Sequence, residues 1–360
     1  MKRKYYDLQP LLDCKCKWMI LYGMRSNGKS YAVKKYCLED AYKNGIGFVY
    51  LRRWSEDIKT KEVSSYFEDA PVKTITGGEW ESVSAFQGFF YWMRDEDGKQ
   101  IRSTKPIGRY CSLNQAERYK SQVFSAGNII FEEFLTSRLY LGGAPGSGKL
   151  SEPDILMQFV STVARDRDIN IFMIANTVTR VNPYLSWGLK GMMQQKPGTI
   201  DIYHMRGENG VVDIAVENCE VVETKSKMFF GLPSKQIISG EWEVNDVPKL
   251  LKPYQYYDML YELKVRFSEF NYIMQLLFDG STGGSCVYIY PDTKDRRVDR
   301  IITDEFSLNP MVNNGLRAEN KAEALMMRLF KDGKVCYSDN LTGTDFQQVI
   351  KNYNFRGVTA

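Results

Sequence analysis

The chain has 360 residues, 43% of them hydrophobic and 26% charged, with a formal net charge of +4. This is the mixture of a globular protein rather than a disordered one, and the length leaves room for two domains or for one with a large appendage. No apolar run is long enough for a membrane span, and no apolar signal stretch follows the basic start, so neither a membrane protein nor a secreted one is expected. The seven cysteines show no metal-ligand spacing and the single His204 lies far from them in sequence. Zinc is therefore not expected, and free thiols in a reducing cytosol are.

Residues 18–22 form a short apolar run that ends in a glycine-containing loop, and a helical stretch follows from Lys29 to about Lys43, stopped by Asn44-Gly45. The next strand, 48–51, runs directly into Arg52-Arg53-Trp54, and 86–105 reads as a hairpin with its turn at 95–98. A third apolar strand at 128–131 is closed by Glu132-Glu133. After a glycine-rich stretch from Leu141 to Leu150, Ser151 and Pro153 mark a helix start, and Ile155, Leu156, Phe159, Val160 and Val163 make its apolar stripe. A fourth strand at 169–175 ends at Asn176. Alternating strands and helices over 1–205 predict an α/β domain with a parallel sheet, followed by a linker region over 206–255. From 256 to 360 a smaller unit is expected, with antiparallel strands at 272–278, 286–290 and 298–303, a helix at 319–331, a short strand and a final helix.

Gly23-Met24-Arg25-Ser26-Asn27-Gly28-Lys29-Ser30 fits the pattern G-x-x-x-x-G-K-[ST] between a strand and a helix. Glycines let the backbone turn several N–H groups toward one anion, and the helix N-terminus adds its dipole. Lys29 then reaches the outer phosphates of ATP, and the Ser30 hydroxyl is a Mg²⁺ ligand. A second stretch, 143–150, imitates the pattern but ends in Leu150, which has no hydroxyl, and no apolar strand leads into it. A flexible loop in reach of DNA is the better reading of it. Hydrolysis needs acids as well. Glu132 and Glu133 stand at the end of an apolar strand, where parallel sheets place their chemistry. Glu132 is expected to hold the Mg²⁺ and Glu133 to activate water. The first of these positions is usually aspartate, and glutamate is one methylene longer, so Glu132 is expected to act through water or from a shifted backbone. Asn176 is placed to sense the γ-phosphate or orient water. Arg165 fits either an arginine finger toward a neighbouring subunit or a plain surface ion pair.

These blocks resemble the DNA-packaging ATPases (encapsidation proteins) of phi29-like, protein-primed tailed phages. The likeness rests on 23–30 with arginine at the third place, on Tyr50-Leu51-Arg52-Arg53-Trp54, on 131–134, on 162–167, and on Ala175-Asn176-Thr177-Val178 leading to 181–184. Thr224-Lys225-Ser226-Lys227 before Phe229-Phe230-Gly231 adds a looser match. The resemblance implies an ASCE-type P-loop motor, a homopentameric ring at the portal (connector) vertex of a procapsid in the host cytoplasm. There it drives double-stranded DNA inward on ATP hydrolysis, with packaging RNA as a further partner. It also implies that Arg165 acts in trans and that Lys120 or Arg118 contributes to the neighbouring site.

The element order after 256 is that of a ribonuclease H-like domain. Two-metal cleavage needs carboxylates converging on a pair of ions. The strand at 272–278 contains none, and Asp279, Asp292, Asp295, Asp299 and Asp304 fall in turns and edges, so a vestigial nuclease fold without cleavage activity is expected. Lys59, Lys61, Arg102, Lys105 and Arg109 are candidate phosphate-backbone contacts, or ordinary solvated charges. The rival functions are a replicative helicase or its loader, and a scaffold that binds ATP without turning it over.

Overall fold

A computed structural model describes residues 5–142, 149–220, 228, 230–231, 240–267, 269–303, 309, 312–313 and 318–352. Ten strands build the first sheet: β1 (Trp18–Tyr22), β2 (Gly47–Arg52), β3 (Ser82–Phe86), β4 (Phe89–Glu96), β5 (Lys99–Arg102), β6 (Gly108–Ser112), β7 (Ala126–Glu132), β8 (Asn170–Ile174), β9 (Thr199–Gly207) and β10 (Gly210–Asn218). They lie in the order β3-β4-β6-β2-β7-β8-β1-β10-β9, with β5 hung on β4. From β6 to β10 the pairings are parallel. Both faces of these strands are covered, which is why their sequences read as unbroken apolar runs rather than alternating ones.

The two cores sit on opposite faces of this sheet, and successive residues of β1 point into one and then the other. Helices α1 (Gln9–Asp13), α2 (Lys29–Lys43), α3 (Thr60–Ser65) and α4 (Val72–Ile75) cover one face through Leu11, Val33, Leu38, Val63 and Val72. Helix α5 (Glu152–Ala164) covers the other through Leu156, Phe159, Val160 and Val163. Ser151 caps α5, accepting from the Asp154 N–H while the Asp154 carboxylate accepts from the Ser151 N–H. Strand β8 lies between β1 and β7. One strand thus separates the phosphate-loop strand from the strand that ends in Glu132, the ASCE arrangement of a P-loop NTPase.

The expected boundary at 205 falls inside this domain. Strands β9 and β10 form a hairpin whose second strand pairs along the whole of β1, so the first sheet continues to Asn218. The hairpin reads as polar because β9 is an edge strand with one face open to solvent.

The second sheet also differs from expectation in its first element. Its meander is β11 (Asp258–Phe267), β12 (Phe270–Asp279) and β13 (Gly284–Pro291), so a whole strand precedes the segment expected to be first. Strand β14 (Ile301–Thr303) is short and runs parallel to β11, with β15 (Val312–Asn313) beside it and β16 (Val335–Tyr337) parallel to β13. Three antiparallel strands with a fourth parallel to the first are the arrangement of a ribonuclease H-like sheet. Strand β11 was missed because Glu262, Lys264 and Arg266 interrupt it, and all three charges are satisfied by cross-sheet partners. Helices Lys321–Lys331 and Asn340–Asn352 pack on this sheet through Met326, Leu329, Phe346 and Val349. Val181, Leu185 and Val247 enter the same core, and Arg180 pairs with Asp345, which ties the two sheets together.

Candidate functional site

Strand β1 ends at Tyr22 and α2 begins at Lys29, with residues 23–28 curled between them. Gly23 and Gly28 have φ of 145° and 105°, a left-handed region that side chains avoid. A Cβ on Gly23 would also lie 3.2 Å from the Cys219 carbonyl oxygen. Met24 is buried under the loop, while Arg25 and Ser26 are exposed. The loop opens into a cavity of about 950 Å³ lined by Arg25, Ser26, Lys29, Glu132, Glu133 and Asn176 among others.

Lys29 is 4% exposed. Its ammonium donates to Met24 O at 2.6 Å, to Asn27 Oδ1 at 3.2 Å and to Asn176 Oδ1 at 3.5 Å, all neutral oxygens. Burial holds its pKa below the ordinary lysine value. Asn27 Nδ2 is buried beside it without a partner among the described residues. A buried cation and an orphaned donor facing the same loop are the electrostatics of an anion site.

Glu132 closes β7 and is 7% exposed. Tyr66 OH donates to its Oε1 at 2.8 Å, and the Ser30 hydroxyl hydrogen-bonds to it as well. Burial pushes this carboxyl up, and those two hydrogen bonds pull it back. The carboxylate therefore meets the Ser30 hydroxyl directly. Ser30, a buried acid and the empty room above them make a hard oxygen set suited to Mg²⁺ beside phosphate.

Glu133 has a φ of 58°. Its carboxylate is paired with Arg52 Nη2 at 2.8 Å, and its carbonyl accepts from Arg53 Nη1 at 2.9 Å. Arg53 also donates to Phe134 O and, through two nitrogens, to the fully buried Glu152. Glu152 accepts in addition from the Leu141 N–H and from Tyr184 OH at 2.7 Å. This network fixes the backbone of the 132–134 corner. Arg52 and Arg53 carried one signal in the sequence, two cations just past an apolar strand in a parallel sheet, where ligands bind. Nothing in the sequence pointed to Tyr66 or Glu152, and Tyr184 stood there only as the last residue of the 181–184 block, with no role attached.

Not every expected residue gathers here. Arg165 caps the C-terminal end of α5 and donates to Gln122 O, and Lys120 pairs with Glu117 at 2.7 Å. Because α5 starts near Glu133 and runs back along the sheet, both lie away from this chain's own phosphate loop. Lys59, Lys61 and Lys105 are exposed. Arg102 is exposed too but stacks on Phe86 and Tyr91 at the end of β5, and Arg109 is half-buried in β6 over Phe89, Tyr119 and Phe124, so these two lie on strands rather than in loops. Residues 143–148 of the imitation loop and 224–227 of the looser match lie outside the described residues.

In the second sheet the true first strand does contain acids, Asp258 and Glu262, contrary to the reading that placed the first strand at 272–278. Glu262 pairs with Arg296 and accepts from Gln275. Asp292 and Asp295 both bind Lys264 at 2.8 Å, and Asp279 binds Lys252. Asp304 lies outside the described residues. Among the described residues no three acids, histidines or cysteines converge as a metal site would require. Nor is any of their helices long and apolar enough to cross a membrane.

The chain is similar to known proteins. The model of the podovirus DNA encapsidation protein (Gp16) family matches residues 1–232. The DNA packaging proteins of Bacillus phage phi29 and Bacillus phage PZA are each 29% identical over 185 residues, 51% of this chain and 49% of theirs. The match thus spans about half the length of those relatives. A chain of the bacteriophage Phi-29 viral genome packaging motor assembly superposes with a TM-score of 0.55 over 99% of both chains at 20% identity, a likeness of fold.

Proposed function

Because this chain belongs to the podovirus DNA encapsidation protein (Gp16) family, we propose that it is an ATP-hydrolysing motor subunit that drives double-stranded DNA through the portal into a procapsid. The observation that carries the reading is Lys29, a buried ammonium whose hydrogen bonds among the described residues go to neutral oxygens, in a cavity rimmed by Glu132 and Glu133.

In this reading the 23–28 backbone and the α2 N-terminus cradle the ATP phosphates, and Lys29 leaves its carbonyl partners to meet the outer ones. Ser30 and Glu132 would hold a Mg²⁺, which would supply positive charge against the charge that develops on the phosphates. After its carboxylate is released from Arg52, Glu133 takes a proton from the water that attacks the γ-phosphorus, while the bond from that phosphorus to the β–γ bridging oxygen breaks and ADP leaves with the electron pair. Arg53 keeps the Glu133 backbone in place while its side chain moves. Asn176, already against Lys29, orients the water or senses the γ-phosphate. Arg165 and Lys120, remote from their own loop, serve a neighbouring copy in a homopentameric ring, with packaging RNA and the portal as further partners. Lys59, Lys61 and Lys105 are the cations left to track phosphate backbone. The C-terminal unit, whose acids are neutralised by lysine and arginine, acts as a docking domain without nuclease activity.

ATPase activity measured with blunt duplex DNA and cognate procapsids, scored for DNA protected from nuclease, tests this reading. Protection that depends on ATP supports it. Forked-duplex unwinding without protection points to a helicase, and ATP binding without turnover under all conditions to a scaffold. Glu133→Gln is expected to keep ATP binding and to lower turnover about a thousandfold; normal turnover by that variant removes Glu133 as the base.

A further inference from the structure

The carboxylate at 132 stands where an aspartate is usual, and the extra methylene gives it one more rotatable bond. An unrestrained glutamate would lose that freedom each time it took up a ligand geometry, a cost that weakens binding. The structure shows what restrains it. Tyr66, at the C-terminal end of α3, donates its phenol to Glu132 Oε1 at 2.8 Å. Its ring packs on Tyr50 of β2 with centroids 4.2 Å apart, and the Lys34 ammonium lies 4.7 Å from its ring centroid on another side.

Lys34 also donates to the Tyr66 carbonyl at 2.8 Å and pairs with Asp69. Lys34 and Ser30 are four residues apart on α2, so they share a helix face. Tyr66 is therefore clamped to the element that carries Ser30 and hydrogen-bonded to the strand end that carries Glu132. It spans both.

We propose that Tyr66 is a positioning residue for the metal: its phenol holds the long Glu132 side chain against Ser30 and makes a glutamate serve where an aspartate would otherwise stand. This rests on the reading of Glu132 and Ser30 as the Mg²⁺ side of the site. The role requires one hydrogen bond to an acid that an aspartate is too short to make from the same backbone, and that gives it a signature distinct from packing.

The probe is Mn²⁺, titrated into the full chain with a non-hydrolysable ATP analogue and followed by electron paramagnetic resonance. Tyr66→Phe keeps the ring and removes the donor. It is expected to weaken Mn²⁺ binding about tenfold, as loss of a partner behind a metal ligand does. Binding of the analogue without metal is expected to stay within about twofold. In a Glu132→Asp background the same substitution is expected to add less than about twofold, because the shorter acid does not reach Tyr66. Mn²⁺ affinity unchanged in Tyr66→Phe, or equally weakened in both backgrounds, overturns the proposal. Glu132→Gln separates the two levels. If it leaves Mn²⁺ binding intact, the metal reading of Glu132 fails and the proposal with it. If it weakens Mn²⁺ while Tyr66→Phe does not, only the role of Tyr66 fails.

Discussion

Lys29 in the first domain and Lys264 in the second are 4% and 3% exposed, and each sits near acids in a sheet. Their surroundings differ in one respect. The ammonium of Lys29 touches three neutral oxygens, whereas that of Lys264 lies 2.8 Å from both Asp292 and Asp295. Burial lowers the pKa of Lys29. At Lys264 burial works in the same direction, but the hydrogen bonds to Asp292 and Asp295 outweigh it and the value is raised. A buried charge is costly unless paired. Lys264 has its counter-ions in hydrogen-bond contact already; among the described residues Lys29 has no carboxylate at that distance, Glu132 acting on it only from farther away, so its site gains most from an anion that arrives from outside. The contrast separates a lysine whose hydrogen bonds all go to neutral oxygens beside a cavity from one already seated between two carboxylates.

Substitution sharpens this comparison. Lys29→Met is expected to lower ATP turnover about a thousandfold, in line with removing a main electrostatic donor to the reacting group, while leaving folding unharmed. A thermal scan beside the ATPase assay checks both halves of that statement; turnover within tenfold of wild type removes Lys29 from the site. Lys264→Met is expected to do the reverse. It leaves the buried Asp292 without its cation, which costs about 3–5 kcal/mol of stability in denaturant titration, with ATP binding by the folded fraction unchanged. Were it neutral, the pair would not be the structural device described here.

A smaller effect is expected from Tyr184→Phe. Glu152 is fully buried and would lose one of its donors, at about 2 kcal/mol of stability. Since Arg53 also holds the Glu133 carbonyl, kcat should fall more than the KM for ATP rises; an unchanged kcat would show that the network serves packing alone.

The smallest effect concerns Asp345, between the two sheets. Burial pushes its carboxyl up to about 6, against the pull of Arg180. An unfolded aspartate titrates near 4, so the folded form holds the proton more tightly. Its contribution to stability is full below about pH 4 and lost as pH rises through about 6. Melting temperature measured across that range should fall with pH by a few degrees, and Asp345→Asn should flatten the slope. A slope that survives the substitution has another origin.

The phosphate loop, α2, the cap at Ser151 and the acids after β7 were legible because each is a local property. Glycine dihedrals, helix starts and apolar runs are set by residues a few positions apart. The reading of the second sheet failed at β11 because alternation was interrupted by charges whose partners lie in the loop that follows β13, such as Lys264 with Asp292 and Asp295. Strand β10 fell within the expected linker for a related reason, since its pairing with β1 joins segments far apart in the chain. Arg109 was placed among exposed loop cations, yet three aromatic rings from distant segments surround it.

By itself, then, the sequence determined that a glycine-containing loop curls between a strand and a helix at 23–30 and that two acids stand at the end of a buried strand. Those facts follow from backbone geometry over short spans. Which atoms restrain the acids was decided by the fold alone. Tyr66 meets Glu132 across 66 residues of chain, and Arg53 meets Glu152 across 99. Contacts at such separations leave no periodicity to read, because they exist only once the parallel strands have brought their C-terminal ends to one edge.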